Sequence, residues 1–157
     1  MARFVMSNED SPSLMFLLLS HHSPKKLHRT IHIRIQGKDL YLCARCMGVW
    51  AGIISTLFLA FFLELHLPPW LYLLLLMVLP APVMFDWITQ SCKLRESRNA
   101  IRVGTGFLLG VSWGLFFLLL ARGMLHLFMF ALMILGGYIF AVYLIAQKTN
   151  FFDDYFD

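Results

Sequence analysis

The chain has 157 residues, 59% of them hydrophobic and only 14% charged, with a formal net charge of +4 and a mean hydropathy of +0.71. Soluble domains run nearer half apolar and a quarter charged, and here the apolar excess is gathered in blocks, which argues for membrane spans over a large soluble core. The basic balance then belongs to loops facing anionic lipid rather than to nucleic acid, and three cysteines, Cys43, Cys46 and Cys92, are too few for a disulfide framework.

Residues 1 to 46 read as a polar N-terminal segment. A cleavable signal is not expected: the apolar run Leu14–Leu19 is short, and Glu9 and Asp10 stand where a signal would be basic. That run cannot cross about 30 Å of hydrocarbon, so it is expected to lie at the interface or to pack on the bundle. Thr30-Ile-His-Ile-Arg-Ile35 alternates, with its isoleucines on one face. Gln36-Gly-Lys-Asp39 reads as a turn and Leu40-Tyr-Leu42 as a returning strand, so a short hairpin is expected. A lone hairpin is marginal in water and needs the bundle, the membrane surface or a metal to hold it.

Four apolar runs follow, at about 47–65, 70–88, 103–121 and 125–146. Pro68-Pro69 separates the first two, and Pro80 and Pro82 are expected to kink the second. The links near Pro68 and Gly123 are short, which makes antiparallel helix pairs. The middle link, Gln90 to Arg102, is longer and carries Lys93, Arg95, Arg98 and Arg102. The N-terminal segment adds Lys25, Lys26, Arg29, Arg34, Lys38 and Arg45, whereas the short links hold only Arg122. The positive-inside rule therefore predicts a multi-pass protein of the cytoplasmic membrane with both termini and the middle link inside. The fold class expected is all-α: a bundle of four transmembrane helices (47–146) with a short cytoplasmic N-terminal hairpin and a cytoplasmic tail (147–157). Gly106, Gly110 and Gly114, and Gly48, Gly52 and Thr56, recur at four-residue spacing, a pattern that lets helix backbones approach closely.

Two groups of polar residues call for chemistry. Cys43 and Cys46, at i and i+3, can share one face at a helix start, where the positive helix end favours thiolate. Thiolates bind zinc or another transition metal. His21, His22, His28 and His32 upstream and Asp86 and Cys92 downstream are candidate further ligands, against the plain alternative of packing cysteines and surface histidines. Asp86 lies near the end of the second span, where an acid is costly unless paired. Asp86 and Gln90 are expected to share a helix face, as are Arg95 and Asn99, and Arg98 and Arg102. Together with Glu96, these residues form a candidate anion-binding cluster, in which arginine holds an anion and the acid pairs with a base or metal. The plain alternative is a positive-inside loop with an internal salt bridge.

The same residues carry a resemblance. The chain resembles an uncharacterised prokaryotic family of small integral membrane proteins, catalogued as a domain of unknown function. Its pattern begins Cys-His-Gln and continues with Cys-Ala-Arg-Cys-Thr-Gly entering a span. Asp-Gly-x-Thr-Gln and Arg-Glu-Ser-x-Asn-x-x-Arg-x-x-Thr-Gly follow. Here these stand as Cys43-Ala-Arg-Cys-Met-Gly48, Asp86-Trp-Ile-Thr-Gln90, Arg95-Glu-Ser-Arg-Asn99 and Arg102-Val-Gly-Thr-Gly106. Ser20-His21-His22 replaces Cys-His-Gln, Met47 replaces Thr and Trp87 replaces Gly. The resemblance implies that the Cys pair, His21, Asp86, Gln90, Arg95, Glu96, Asn99 and Arg102 belong to one shared feature; if the family's first Cys is a ligand, this chain must use His22, Cys92 or water there.

Three functions compete at this point. One is a metal-binding membrane protein with a site for an anionic lipid headgroup, enzymatic if a coordination position stays open and structural if the site is closed. The second is a membrane thiol-redox protein. The third is a small transporter or assembly factor, which with four helices would work as a homo-oligomer.

Overall fold

The computed structural model describes residues 30–35, 38–64, 67–92, 94–96 and 98–149. The short apolar run Leu14–Leu19, the candidate ligands His21, His22 and His28, and the end of the tail lie outside them.

Strands β1 (Thr30–Ile35) and β2 (Lys38–Cys43) pair antiparallel, with Ile31 opposite Leu42 and Ile33 opposite Leu40. The alternation sets this register: Ile31 and Ile33 are half-buried, while His32 and Arg34 are exposed. His32 stacks on its cross-strand partner Tyr41 with ring centroids 4.9 Å apart. β2 runs without a break into helix α1 (Ala44–Phe62), so Cys43 is at once the last strand residue and the cap of the helix.

Among the described residues, four helical stretches are long and apolar enough to cross a membrane: Ala44–Phe62, Pro69–Ser91, Asn99–Ala121 and Leu125–Lys148. The second is interrupted at the expected prolines, which divide it into α2 (Pro69–Val78) and α3 (Ala81–Ser91). Prolines 80 and 82 lack the amide hydrogens that would bond back to Leu76 and Val78, so the ladder is interrupted there. The Tyr138 hydroxyl, from the last helix, donates to the Met77 carbonyl at the break, a neighbour's polar group serving interrupted backbone. At about 1.5 Å per residue, α2 and α3 together still reach across the hydrocarbon.

Helix α4 (Asn99–Ala121) begins four residues before the expected span, and α5 (Leu125–Lys148) extends two beyond it. Hydropathy marks the apolar part of a helix, and the backbone ladder continues through the polar interface. Gly123, with φ +68°, closes the turn between them. Its amide donates to Leu120 and that of Met124 to Leu119, the paired bonds of a helix end that requires a left-handed residue.

The closest approach in the bundle is between α1 and α4. A Cβ on Gly48 would run into the Val103 carbonyl, one on Gly52 into that of Phe107, and one on Gly110 into that of Val49. One on Gly114 would lie 2.7 Å from Thr56 Cβ. Contacts climb both helices together, so α1 and α4 are parallel, and the two glycine series read in the sequence face each other. The apolar core gathers toward the far end from the hairpin, around Tyr72, Leu76, Leu115, Leu119, Leu127 and Ala131. The near end, where β2, α1, α3 and α4 meet, holds the polar residues.

Candidate functional site

Asp86 is the centre of the near end. Its side chain is 1% exposed, and every acceptor bond it makes can be traced to a sequence feature. Oδ2 accepts from Arg45 Nη2 at 2.5 Å and from Gln90 Nε2 at 2.8 Å. Oδ1 accepts from Arg95 Nη2 at 3.1 Å. The expected shared face of Asp86 and Gln90 is present, because both lie within α3 one turn apart. Gln90 Nε2 also donates to the Asp86 carbonyl, and its Oε1 accepts from Arg102 Nη2 at 2.9 Å. One carboxylate thus engages two guanidinium groups directly and a third through an amide.

Arg95 does not share a helix face with Asn99, contrary to expectation. It sits in the connection before α4, whose helical ladder starts only at Asn99, and Arg98 is the extended residue that caps it. From the connection, Arg95 bends back along α3 and also donates Nε to Thr89 Oγ1 at 3.3 Å. Asn99 instead donates Nδ2 to the Thr30 carbonyl at 3.2 Å, tying the first turn of α4 to the first residue of β1. Thr30 pairs with Cys43, so the hairpin is anchored beside the thiols. Glu96 lies exposed in the same connection.

Arg45 was absent from the expected cluster, yet it makes the shortest bond in it. The signal was available: a carboxylate near the end of an apolar span demands a cation, and Cys43-Ala-Arg-Cys46 places one in the first turn of the first span. Gly106 makes room for it. A Cβ there would meet the Arg45 carbonyl and lie 3.3 Å from Arg45 Cγ. The side chain of Arg45 therefore runs over α4 toward α3. Its Nε, like Asn99 Oδ1, is buried without a hydrogen-bond partner among the described residues.

The two thiols are near neighbours: Cys43 is buried, Cys46 partly so, neither is in a disulfide, and the side chains share a hydrogen bond. Cys92 is exposed at the end of α3. Among the described residues, no three His, Cys, Asp or Glu side chains gather closely enough to hold a metal ion. Asp86 is engaged by guanidinium groups, and the thiols form a pair beside that network.

The family described as "Predicted membrane protein (DUF2085)" matches residues 24–117. The chain belongs to this family. The matched stretch contains the hairpin, the thiol pair and every residue of the Asp86 network, and it ends within α4, leaving α5 outside. Two archaeal relatives are each 28% identical. One, an uncharacterized protein of Methanocaldococcus jannaschii, aligns over 102 residues, 62% of this chain and 60% of its own length. The other, from Methanothermobacter thermautotrophicus, aligns over 114 residues, 73% of this chain and 97% of its own length. No solved structure matches the chain. Membership in the DUF2085 family supports the membrane reading and carries no reaction with it.

Proposed function

We propose that this DUF2085 protein binds an anionic, phosphate-bearing lipid headgroup at the cytoplasmic face of the cell membrane, through the guanidinium groups gathered around Asp86. The observation that carries the reading is the gathering of guanidinium groups at one buried point: Arg45 and Arg95 both bind the Asp86 carboxylate, and Arg102 reaches it through Gln90. One carboxylate carries a single charge against the two guanidinium groups it binds, and planar guanidinium forks suit phosphate oxygens. The buried Nε of Arg45 is a further donor available to such a ligand. Basic residues concentrated at this end support its placement on the cytoplasmic side, with Arg122 the single basic residue of the opposite connections.

The test is thermal unfolding of the detergent-purified protein with dioleoyl phosphatidic acid, with phosphatidylcholine, and with inorganic phosphate. A ligand at a hundredfold its Kd stabilises by about 2.7 kcal/mol. The phosphatidic acid should raise Tm, and Arg95→Gln should shrink that rise. Equal shifts from the two lipids defeat the reading, and a shift from inorganic phosphate alone reassigns the site to a soluble anion. Reaction of Cys92 with a membrane-impermeant maleimide should occur in inverted vesicles and not in intact cells.

The thiol pair beside the network supports a second element of the same reading, a zinc-like metal held by Cys43 and Cys46 with His21 or His22 as a third ligand. Two adjacent sulfurs are half of a tetrahedral site, and a metal there would staple the hairpin to α1. Stoichiometric metal in the purified protein, lost in the Cys43→Ser/Cys46→Ser variant, is the expected result. Its absence from the unmodified protein removes the metal and leaves the headgroup site standing.

A further inference from the structure

We propose that α3 is a hinged half-helix that pivots on the Pro80–Pro82 break, and that the ion pairs of Asp86 are the latch holding it against the bundle. Four observations meet here. The first is the break itself, where two prolines within three residues remove the backbone bonds that would make α2 and α3 one rod. The second is what holds α3 in place. Val83 and Asp86 are its fully buried residues and most of the others are half-buried, so Asp86 is the fully buried polar group through which this helix is tied to other elements. The third is the position of the carboxylate. Asp86 lies more than one turn beyond the break, and its partners come from other elements, Arg45 on α1 and Arg95 on the connection to α4. The fourth is the fixed point: Tyr138 on α5 binds the Met77 carbonyl at the end of α2, so the bundle grips the hinge on the side that stays.

Polar latches open differently from apolar seams. Dispersion contacts are forfeited steeply, within about 1 Å of separation, with nothing to replace them, whereas a carboxylate released by one guanidinium can bind another donor. With the latch released, α3 swings outward on the proline break and carries Gln90 off Arg102, which is 4% exposed in the closed state. Opening therefore uncovers guanidinium groups at the near end of α1 and α4. The hinge stands on backbone and packing and does not depend on which anion the protein binds.

The experiment measures the distance between two spin labels by pulsed electron resonance in lipid nanodiscs. One label sits on Cys92, exposed at the end of α3, and one on Lys148→Cys at the end of α5, in a Cys43→Ser/Cys46→Ser background. The reference should give one narrow distribution. Asp86→Asn and, independently, Arg95→Gln should add a population displaced by several ångströms. Arg95 lies in an exposed connection, so its variant keeps the test alive if Asp86→Asn does not fold. Pro80→Ala/Pro82→Ala added to either variant should return the distribution to the reference. Distributions in both latch variants that superimpose on the reference overturn the proposal. So does a displaced population that persists once the prolines are gone, since that would be melting of α3 rather than motion about a hinge.

Discussion

The α1–α4 seam and the seat of α3 solve the same problem by opposite means. Both must hold a helix in a bundle where lipid offers apolar contact as good as any neighbour's, so burial alone contributes little. The seam answers with shape. Gly48, Gly52, Gly106 and Gly110 bring each backbone against carbonyl oxygens of the other helix, and dispersion acts over the full length of contact. The seat of α3 answers with charge: Asp86 pays for its burial through Arg45, Arg95 and Gln90. The first is rigid because nothing in it has an alternative partner. The second is specific but exchangeable, because every member could bind something else.

The comparison breaks most severely at the seam. Gly110→Leu forces a branched side chain onto the Val49 backbone, which cannot move without moving α1. Loss of more than about 4 kcal/mol is expected, the range reserved for gross steric failure, and it should appear as little or no monodisperse protein in detergent. Recovery of a normally folded variant would mean that α1 and α4 do not touch there. Next comes the latch. Asp86→Asn leaves Arg45 beside a neutral amide in a poorly hydrated place. Breaking one side of a buried pair costs about 3–5 kcal/mol, so denaturant unfolding in mixed micelles should show a loss of that order. The Arg45→Gln/Asp86→Asn double variant should lose much less than the sum of its parts. Arg95 reaches the same carboxylate with a side chain 44% exposed. Solvent screens it, and Arg95→Gln should cost about 1 kcal/mol or less.

This ordering also separates what the sequence could tell from what it could not. Hydropathy located the four spans, since twenty apolar residues in a row have few other uses. The alternation of Thr30–Ile35 located a hairpin whose observed register pairs Ile31 with Leu42. The spacing of small residues located both faces of the seam, though not that they were partners. Nothing in a pair of non-consecutive spans says that they lie side by side and parallel. The acid of the latch was visible because a lone carboxylate near an apolar run is conspicuous. Its main partner was not, because Arg45 sits between two cysteines that drew attention to metal chemistry. The expected pairing of Arg95 with Asn99 failed for a related reason. It assumed a helix running through 95–99, whereas the ladder begins at Asn99 and leaves Arg95 free to bend back along α3.

At the hinge, Tyr138→Phe removes one hydroxyl from the Met77 carbonyl and little else. Hydrogen bonds within membranes contribute about 0.6 kcal/mol on average, because the alternative state also finds partners. A loss of that size in micelle unfolding is expected. A loss several times larger would mean that the break depends on Tyr138 to exist at all, and that α2 and α3 are held apart by packing rather than by proline chemistry.

The smallest effect completes the contrast with the seam. Gly104 and Gly136 also lie inside membrane-length helices, yet a Cβ at either position meets nothing within 4 Å. Their chemistry is that of Gly110 and only their surroundings differ. Glycine in a helix interior is less favourable than alanine by about 0.5–1 kcal/mol, because it loses more backbone freedom on folding. Gly104→Ala and Gly136→Ala should therefore leave stability unchanged or raise it by up to that amount, while Gly110→Ala lowers it. If alanine at Gly104 or Gly136 proved as damaging as at Gly110, those faces would be in close contact with something, and a second copy of the chain packed against α4 or α5 would be the first partner to seek by cross-linking in the membrane.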